Sequence, residues 1–329
     1  MSDVELGEVV FDPVEAQDFR LSVEGTSGTW KTNTLAVILE DLAPSNMPTL
    51  IVERLGALTT VRHQDDNIVV VGEKDEEGID LVVPLDELDK LGSWVMDRGM
   101  KILLDVSTYA DYSEEQSRVH LAAAKAIRSL NDRAHERYRA GDRRKALLAI
   151  DEAHYMAPKD NAPEPDLDDW VKRCRGQIIK ASTEGGNKGI NTIVAYQRRA
   201  FLHNGVIQLC RDWIVHGLEA DDADTVSKKL RVDRDMIDDL GTGQILARGE
   251  TITGGELVGP TTVRKRESPD PREETFEVPD TPAELSDVLS DIQEEVEQDA
   301  RRREERKDEL EQLRERVETL EGMETLCST

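Results

Sequence analysis

The stretch EGTSGTWKTNTLAVILEDL, residues 24–42, limits what the chain can fold into more than any other. A short β-rich run, DFRLSV at 18–23, leads into it. After it comes a segment with helical apolar spacing, Leu35, Val37, Ile38, Leu39 and Leu42, closed by Pro44. Gly25, Gly28, Lys31 and Thr32 stand where a phosphate-binding loop, G-x-x-x-x-G-K-[ST] between strand and helix, needs them. In such a loop the backbone N–H groups and the helix N-terminus face an anion. The lysine reaches the outer phosphates and the hydroxyl meets magnesium. This reading gives nucleotide contact to Gly25, Thr26, Ser27, Gly28, Thr29, Trp30, Lys31, Thr32 and Asn33, a catalytic charge to Lys31 and a metal contact to Thr32. Trp30 departs from the pattern, which has glycine there because backbone and phosphate come close. An indole fits this place if φ is negative, or if the side chain swings outward to cover the nucleotide, stack on a base or meet a neighbouring subunit. The opposing reading is a pocket closed by the indole.

Two further segments supply the chemistry such a loop needs. KALLAIDEAH (145–154) is a buried run ending in Asp151 and Glu152. Asp151 is placed to hold magnesium through water and Glu152 to polarise an attacking water. TIVAYQRR (192–199) ends a strand in Gln197, an amide able to sense a γ-phosphate or orient water. His154 is expected to hydrogen-bond behind the acids. The letters DEAH also occur in superfamily 2 RNA helicases, but no further helicase motif follows, and a second RecA-like lobe does not fit the chain.

The remaining pattern predicts an α/β fold. Apolar, β-rich runs stand at 47–53, 67–72, 79–84, 99–107, 145–154, 189–197 and 212–217, with a final pair at 243–249 and 255–260. Helices are expected near 85–98, 113–140 and 166–183. Strands apolar on both faces and alternating with helices make a mostly parallel sheet covered on both sides. Residues 1–265 read as this core and 266–282 as an acidic, Pro-rich linker. Residues 283–329 read as a long helical extension. Its apolar seams, Leu285, Val288, Ile292 and Val296, then Leu310, Leu313, Val317 and Leu320, fit either a coiled coil or a solvated single helix.

Composition narrows the function classes. No run approaches the roughly 18 apolar residues of a membrane span, and the N-terminus has no secretion-signal pattern. Cys174, Cys210 and Cys327 lie far apart, without metal or disulfide spacing, so a reducing cytoplasm is expected. The net charge is −27, spread along the chain, and arginine outnumbers lysine. That favours a halophilic surface over an acidic interaction protein. In strong salt it leaves local basic patches to decide whether nucleic acid binds. VKRCRGQIIK (171–180), with Lys172, Arg173, Arg175 and Lys180, is one such patch or an ordinary solvated face; RRREER (301–306) is balanced by neighbouring acids.

The series GTSGTWKTNT, LIVERLG, MKILLDVS, LLAIDEAH and EGGNKGINTIVAYQRR resembles the HerA/FtsK superfamily of RecA-like P-loop ATPases, in particular its archaeal HerA-like branch, over roughly residues 18–250. The resemblance implies a hexameric ring that hydrolyses ATP with Mg2+ and pumps double-stranded DNA through its centre. The settings it implies are DNA processing, transfer or packaging, with a nuclease or mobile-element partner. By this resemblance Lys31 and Thr32 match the loop pair, Asp151 and Glu152 the acidic pair and Gln197 the sensor. Besides Trp30, Gly186 stands where an arginine is common, and Arg198-Arg199 replaces Arg-Pro. The arginine that would act across a subunit junction is therefore sought among Arg198, Arg199, Arg173 and Arg175, with Arg198 carried as the catalytic candidate. The residues ahead of the loop are too few for the small β-barrel of full-length HerA. The expectation is an ATP-driven, helicase-like DNA translocase. The alternatives are a nucleotide-binding switch or scaffold without turnover, which Trp30 and Gly186 favour, and an ATPase that remodels protein.

Overall fold

The computed structural model describes residues 3–110, 116–161, 165–273, 275–279 and 281–327. The chain opens with a hairpin, β1 (Val4–Leu6) and β2 (Val9–Phe11), that the sequence reading missed. Gly7 turns it with φ 66, and the inward residues Val4, Leu6, Val9 and Phe11 join the core that holds Leu35, Ile38 and Leu39. Next come β3 (Arg20–Glu24), helix α1 (Lys31–Asp41), β4 (Thr49–Glu53), β5 (Ile68–Gly72), β6 (Leu81–Val82) and β7 (Lys101–Asp105). Helix α2 (Gln116–Arg139), β8 (Ala146–Ile150), helix α3 (Pro165–Lys188) and β9 (Ile190–Tyr196) follow. The core closes with β10 (Asp212–Val215), helix α4 (Ala220–Leu230), β11 (Gln244–Arg248) and β12 (Leu257–Thr262).

Among the described residues the main sheet has the order β12-β11-β10-β3-β9-β8-β4-β7-β5-β6. It is parallel from β10 to β6, and β11 and β12 close one edge antiparallel. Every residue of β3, β4, β5, β8 and β9 is buried, as expected for strands covered on both faces. Because β3, β9, β8 and β4 are parallel neighbours, their carboxyl ends meet on one edge of the sheet. The register pairs Glu24 with Tyr196, Ile150 with Val194, and Val52 with Ile150. That edge is where ligands bind in open α/β sheets.

Some expected elements differ. The helix read at 85–98 is a 3-10 run (Leu85–Lys90), one α turn (Leu91–Ser93) and a wider π turn (Trp94–Arg98). There Gly92 lies against the Ser129 backbone of α2, closer than any Cβ allows. The expected helix start at 113–115 lies outside the described residues; α2 is described from Gln116. Helix α3 runs five residues past its expected end at 183, through Gly185 and Gly186 to Lys188. A Cβ at Gly186 would overlap the Asp18 carboxylate, so a larger residue there requires that side chain to move.

The stretch read as a linker begins as a strap on the core, and the first compact unit runs from Met1 to Pro282. Asn33, in the first turn of α1, accepts from Arg266 N at 2.9 Å and donates Nδ2 to Arg264 O at 2.9 Å. Glu40, in the last turn, accepts from Ser268 N (3.0 Å), Ser268 Oγ (2.6 Å), Glu267 N (3.1 Å) and Arg264 Nη1 (2.7 Å). The second unit, Ala283–Thr329, is helix α5 (Ala283–Cys327). In its distal seam Leu310, Leu313 and Val317 are exposed, and the Leu320 side chain lies outside the described residues.

Burial alone would raise the pKa of Glu40, but the bonds from Ser268, Glu267 and Arg264 outweigh it and hold the carboxyl below its usual 4.5. A depressed carboxylate stabilises the fold above its unfolded pKa and loses that contribution as pH falls through the folded value. Glu40→Gln is therefore expected to cost roughly 1.5–3 kcal/mol of unfolding free energy at pH 7. In urea titrations the gap to wild type should shrink as pH falls below 4.5.

Candidate nucleotide-binding site

The loop after β3 is built by short backbone and side-chain bonds. Gly25 N donates to Tyr196 O (3.3 Å), Thr26 N to Gly217 O (3.0 Å) and Thr29 Oγ1 to Thr26 O (2.7 Å). Gly25 is required by space, since a Cβ there would lie 2.6 Å from Thr29 Oγ1 and 2.7 Å from His216 Cβ. Gly28 is required by conformation, at φ 81. His216, fully buried beneath the loop, places Nε2 3.0 Å from Thr34 Oγ1 of α1. Burial, and then the Lys31 charge, push its pKa down to about 3, so it braces the loop as a neutral imidazole. The sequence reading passed over it; its one signal is a histidine at the end of DWIVHG.

Trp30 does not take the negative φ that was one of its two expected solutions. It sits at φ 75, ψ 22, in the left-handed conformation glycine would have used. The second solution holds: the indole leaves the loop and lies against Gly243, where a Cβ would come within 2.8 Å of Cε3. Gly243 N also donates to Thr29 O at 3.4 Å. The pocket is not closed. A cavity of about 410 Å³ is lined by Thr26, Ser27, Gly28, Trp30, Lys31, Thr32 and Asn33 of the loop and by Glu152 and Gln197 across from it. Asn33 lines this cavity while its amide holds the C-terminal strap.

The separate acidic and amide motifs converge on Lys31. Its side chain is only 4% exposed, and its ammonium is 3.2 Å from Asp151 Oδ1 and 3.2 Å from Glu152 Oε1. Gln197 Nε2 donates to the same Glu152 oxygen at 2.9 Å. Burial works against the lysine's charge, yet Asp151 and Glu152 raise its pKa above 10.5 overall. Glu152 is driven up by burial and down by Lys31, Gln197 and His154, with a net lowering, so it is a carboxylate at neutral pH. Like Trp30, it is left-handed, at φ 49. His154 Nδ1 lies 3.3 Å from Glu152 Oε2, beside the acid as expected, without hydrogen-bond geometry. Burial lowers its pKa, so it too is neutral near pH 7.

Glu53, the last residue of β4, is a site neighbour the sequence reading did not single out within LIVERLG. It is fully buried and accepts from Leu58 N at 3.0 Å and from Ala57 N. Burial, then the charges of Asp151 and Asp105, push its pKa up to about 8. Each of the four arginine candidates makes contacts within the chain. Arg199 is buried in an ion pair with Glu24 at 2.6 Å, tying the end of β9 to the end of β3. Arg198 lies over the Phe201 ring at 4.9 Å and 3.9 Å from Asp222. Arg173 lies over Trp170 at 4.8 Å, and Arg175 donates to Pro158 O at 3.1 Å. On the same helix Lys172 pairs with Asp168 at 2.5 Å and Lys180 with Asp132 at 3.1 Å.

No family model matches the chain, and no curated protein does. Solved structures do. The bacterial conjugative coupling protein TrwBdeltaN70 aligns at a TM-score of 0.54 with 9% identity, over 82% of this chain and 91% of that one. The genome packaging NTPase B204 from Sulfolobus turreted icosahedral virus 2, in complex with ATP-gammaS, aligns at 0.45 with 13% identity, over 73% and 96%. The pCW3 conjugation coupling protein TcpA, with ATPgS, aligns at 0.45 with 13% identity, over 86% and 69%. At these identities the likeness bears on the fold alone, an α/β P-loop NTPase fold.

A bulky residue held left-handed costs about 1–2 kcal/mol that glycine does not. Trp30→Gly and Trp30→Ala both lose the indole, but only glycine releases the backbone. Trp30→Gly should be the more stable of the two by about 1 kcal/mol in denaturant titrations. It should also keep its affinity for ATP, measured by calorimetry, whereas complete loss would mean the indole itself is needed.

Proposed function

We propose that this chain is a magnesium-dependent ATPase whose turnover drives movement along double-stranded DNA, a translocase of the HerA/FtsK kind. One observation carries the catalytic part: Lys31, Asp151, Glu152 and Gln197, from distant sequence segments, meet under an open cavity at the end of a phosphate-binding loop. Loop amides and Lys31 bind the phosphates. When Lys31 turns to a phosphate it leaves Glu152, removing the charge that holds that carboxyl acidic and making it a stronger base. Glu152, with Gln197 orienting, then takes a proton from the water that attacks the γ-phosphorus as the bond to the bridging oxygen breaks, giving ADP and phosphate. Thr32 and Asp151 would hold a magnesium ion, which would supply positive charge to offset that on the phosphate oxygens.

The DNA and ring parts rest on the motif series and on a fold shared with a conjugative coupling protein. In this reading copies assemble as a hexameric ring, with Arg198 at the subunit junction, in the cytoplasm of a high-salt cell and beside a nuclease or mobile-element partner. Helix α5, as a coiled coil, recruits or joins copies. No helix among the described residues is long and apolar enough to cross a membrane. A switch without turnover is the second reading, favoured by the left-handed Trp30 and by glycine at position 186, where the resemblance would have an arginine.

Steady-state turnover in molar KCl, with and without duplex DNA, separates these readings. The motor predicts DNA-stimulated hydrolysis that EDTA abolishes. Glu152→Gln should bind ATP yet turn over at least about 100-fold more slowly, and Lys31→Ala should lose binding. Binding without turnover selects the switch, and turnover indifferent to DNA selects a protein-remodelling ATPase.

A further inference from the structure

The strap after β12 forms part of the nucleotide cavity. Lys265, Asp270, Arg272 and Glu273 line it together with the loop, Glu152 and Gln197. The strap is firmly placed. Besides its bonds to Asn33 and Glu40, the buried Arg266 guanidinium donates to Ala57 O (2.7 Å), Thr60 Oγ1 (2.8 Å) and Ser268 Oγ (2.9 Å). Thr60 Oγ1 in turn donates to Pro269 O at 2.6 Å. This fixes the backbone as far as Asp270 against α1 and the turn after β4.

Asp270 then sets Arg272. Its Oδ1 accepts from Arg272 N (3.0 Å) and Nε (2.9 Å), and its Oδ2 from Nη2 (2.7 Å). The pair uses one edge of the guanidinium, leaving Nη1 outside it, and the Arg272 side chain stays 59% exposed. Among the residues lining the cavity the cations are Lys31, Lys265 and Arg272. Lys265 is paired with Glu273 at 3.1 Å. Arg272 has its pKa raised, first by the bonds to Asp270, and it lines the same cavity as Lys31, Glu152 and Gln197. A triphosphate brings more negative charge than one lysine offsets. Its transfer also gains most from preorganised donors at the outer oxygens, where a planar guanidinium suits phosphate better than an ammonium.

We propose that Arg272, held by Asp270 on the strap, binds the outer phosphates of the nucleoside triphosphate within the same chain. This rests on the ATPase reading above. The test is calorimetric binding of a non-hydrolysable ATP analogue and of ADP to the full chain, followed by turnover with ATP, for wild type, Arg272→Ala and Arg272→Lys. Arg272→Ala should weaken the triphosphate about tenfold or more, leave ADP within about threefold, and slow turnover at least about tenfold. Arg272→Lys should recover part of each loss. Since Arg272 is exposed, the unfolding midpoint should not move, which separates phosphate contact from a structural role. Equal loss of triphosphate and ADP, or no loss of either, overturns the proposal while leaving the ATPase reading standing. A wild-type chain that binds neither nucleotide sinks both.

Discussion

One buried ion cluster organises the molecule. Lys31 starts the helix after β3, and its ammonium is held between two carboxylates at the end of β8, with β9 and its Gln197 amide between the two strands. None of these charges is tolerable alone at this depth, since stranding one partner of a buried pair costs several kcal/mol. The cluster therefore demands that β3, β9 and β8 be parallel neighbours in register, and the all-apolar strands supply that frame. The same dependence makes the cluster responsive. In the proposed reading an incoming polyphosphate would compete with the acids for Lys31 and leave Asp151 and Glu152 with unbalanced charge for a metal ion and a proton to satisfy. Glu53, pushed toward its neutral form by burial and then by the charges of Asp151 and Asp105, lies in the same field.

The sequence made much of this legible, for a physical reason. A strand buried on both faces reads as an unbroken apolar run, so β3, β4, β8 and β9 and the polar residues ending them could be placed by inspection. Asp151, Glu152 and Gln197 are legible because each follows such a strand, and Lys31 because it sits in the phosphate-loop pattern that opens α1. What stayed hidden depends on contacts between distant segments. RESPDPREETF has the composition of a linker, and contacts with Asn33, Glu40, Ala57 and Thr60, far upstream, turn its first residues into a fixed wall. Arg199 reads as a free cation after a strand, yet the neighbouring strand presents Glu24 to it. Gly186 reads as a lost arginine, and only the fold shows the Asp18 carboxylate lying against it.

Trp30 shows the same divide at one residue. Sequence identifies a tryptophan where glycine is needed and offers two ways to fit it, negative φ or an outward side chain. The backbone keeps the left-handed turn, because the loop and the first α1 bond, Thr34 N to Trp30 O at 2.9 Å, fix it. The side chain then has to leave, and Gly243, lacking a Cβ, gives it a surface to lie on. Glu152 is the second left-handed non-glycine residue at this cavity. Strain of about 1–3 kcal/mol per residue persists only where surroundings over-determine it. Here the surroundings are the ion cluster on one side and the His216 and Gly243 contacts on the other.

Charge distribution bears on the DNA part of the proposal. Several interior cations are matched by acids: Lys31 with Asp151 and Glu152, Arg199 with Glu24, Arg62 with Asp80, Lys101 with Asp65. Matched pairs remove little of the −27 total, so the excess negative charge is carried outside them. At low ionic strength that excess would repel a polyanion over tens of ångströms. At molar salt the screening length falls to about 3 Å, and only charges in contact with a phosphate still count. A negatively charged motor and a DNA track are therefore compatible in strong salt, where the long-range term is gone and contact geometry decides.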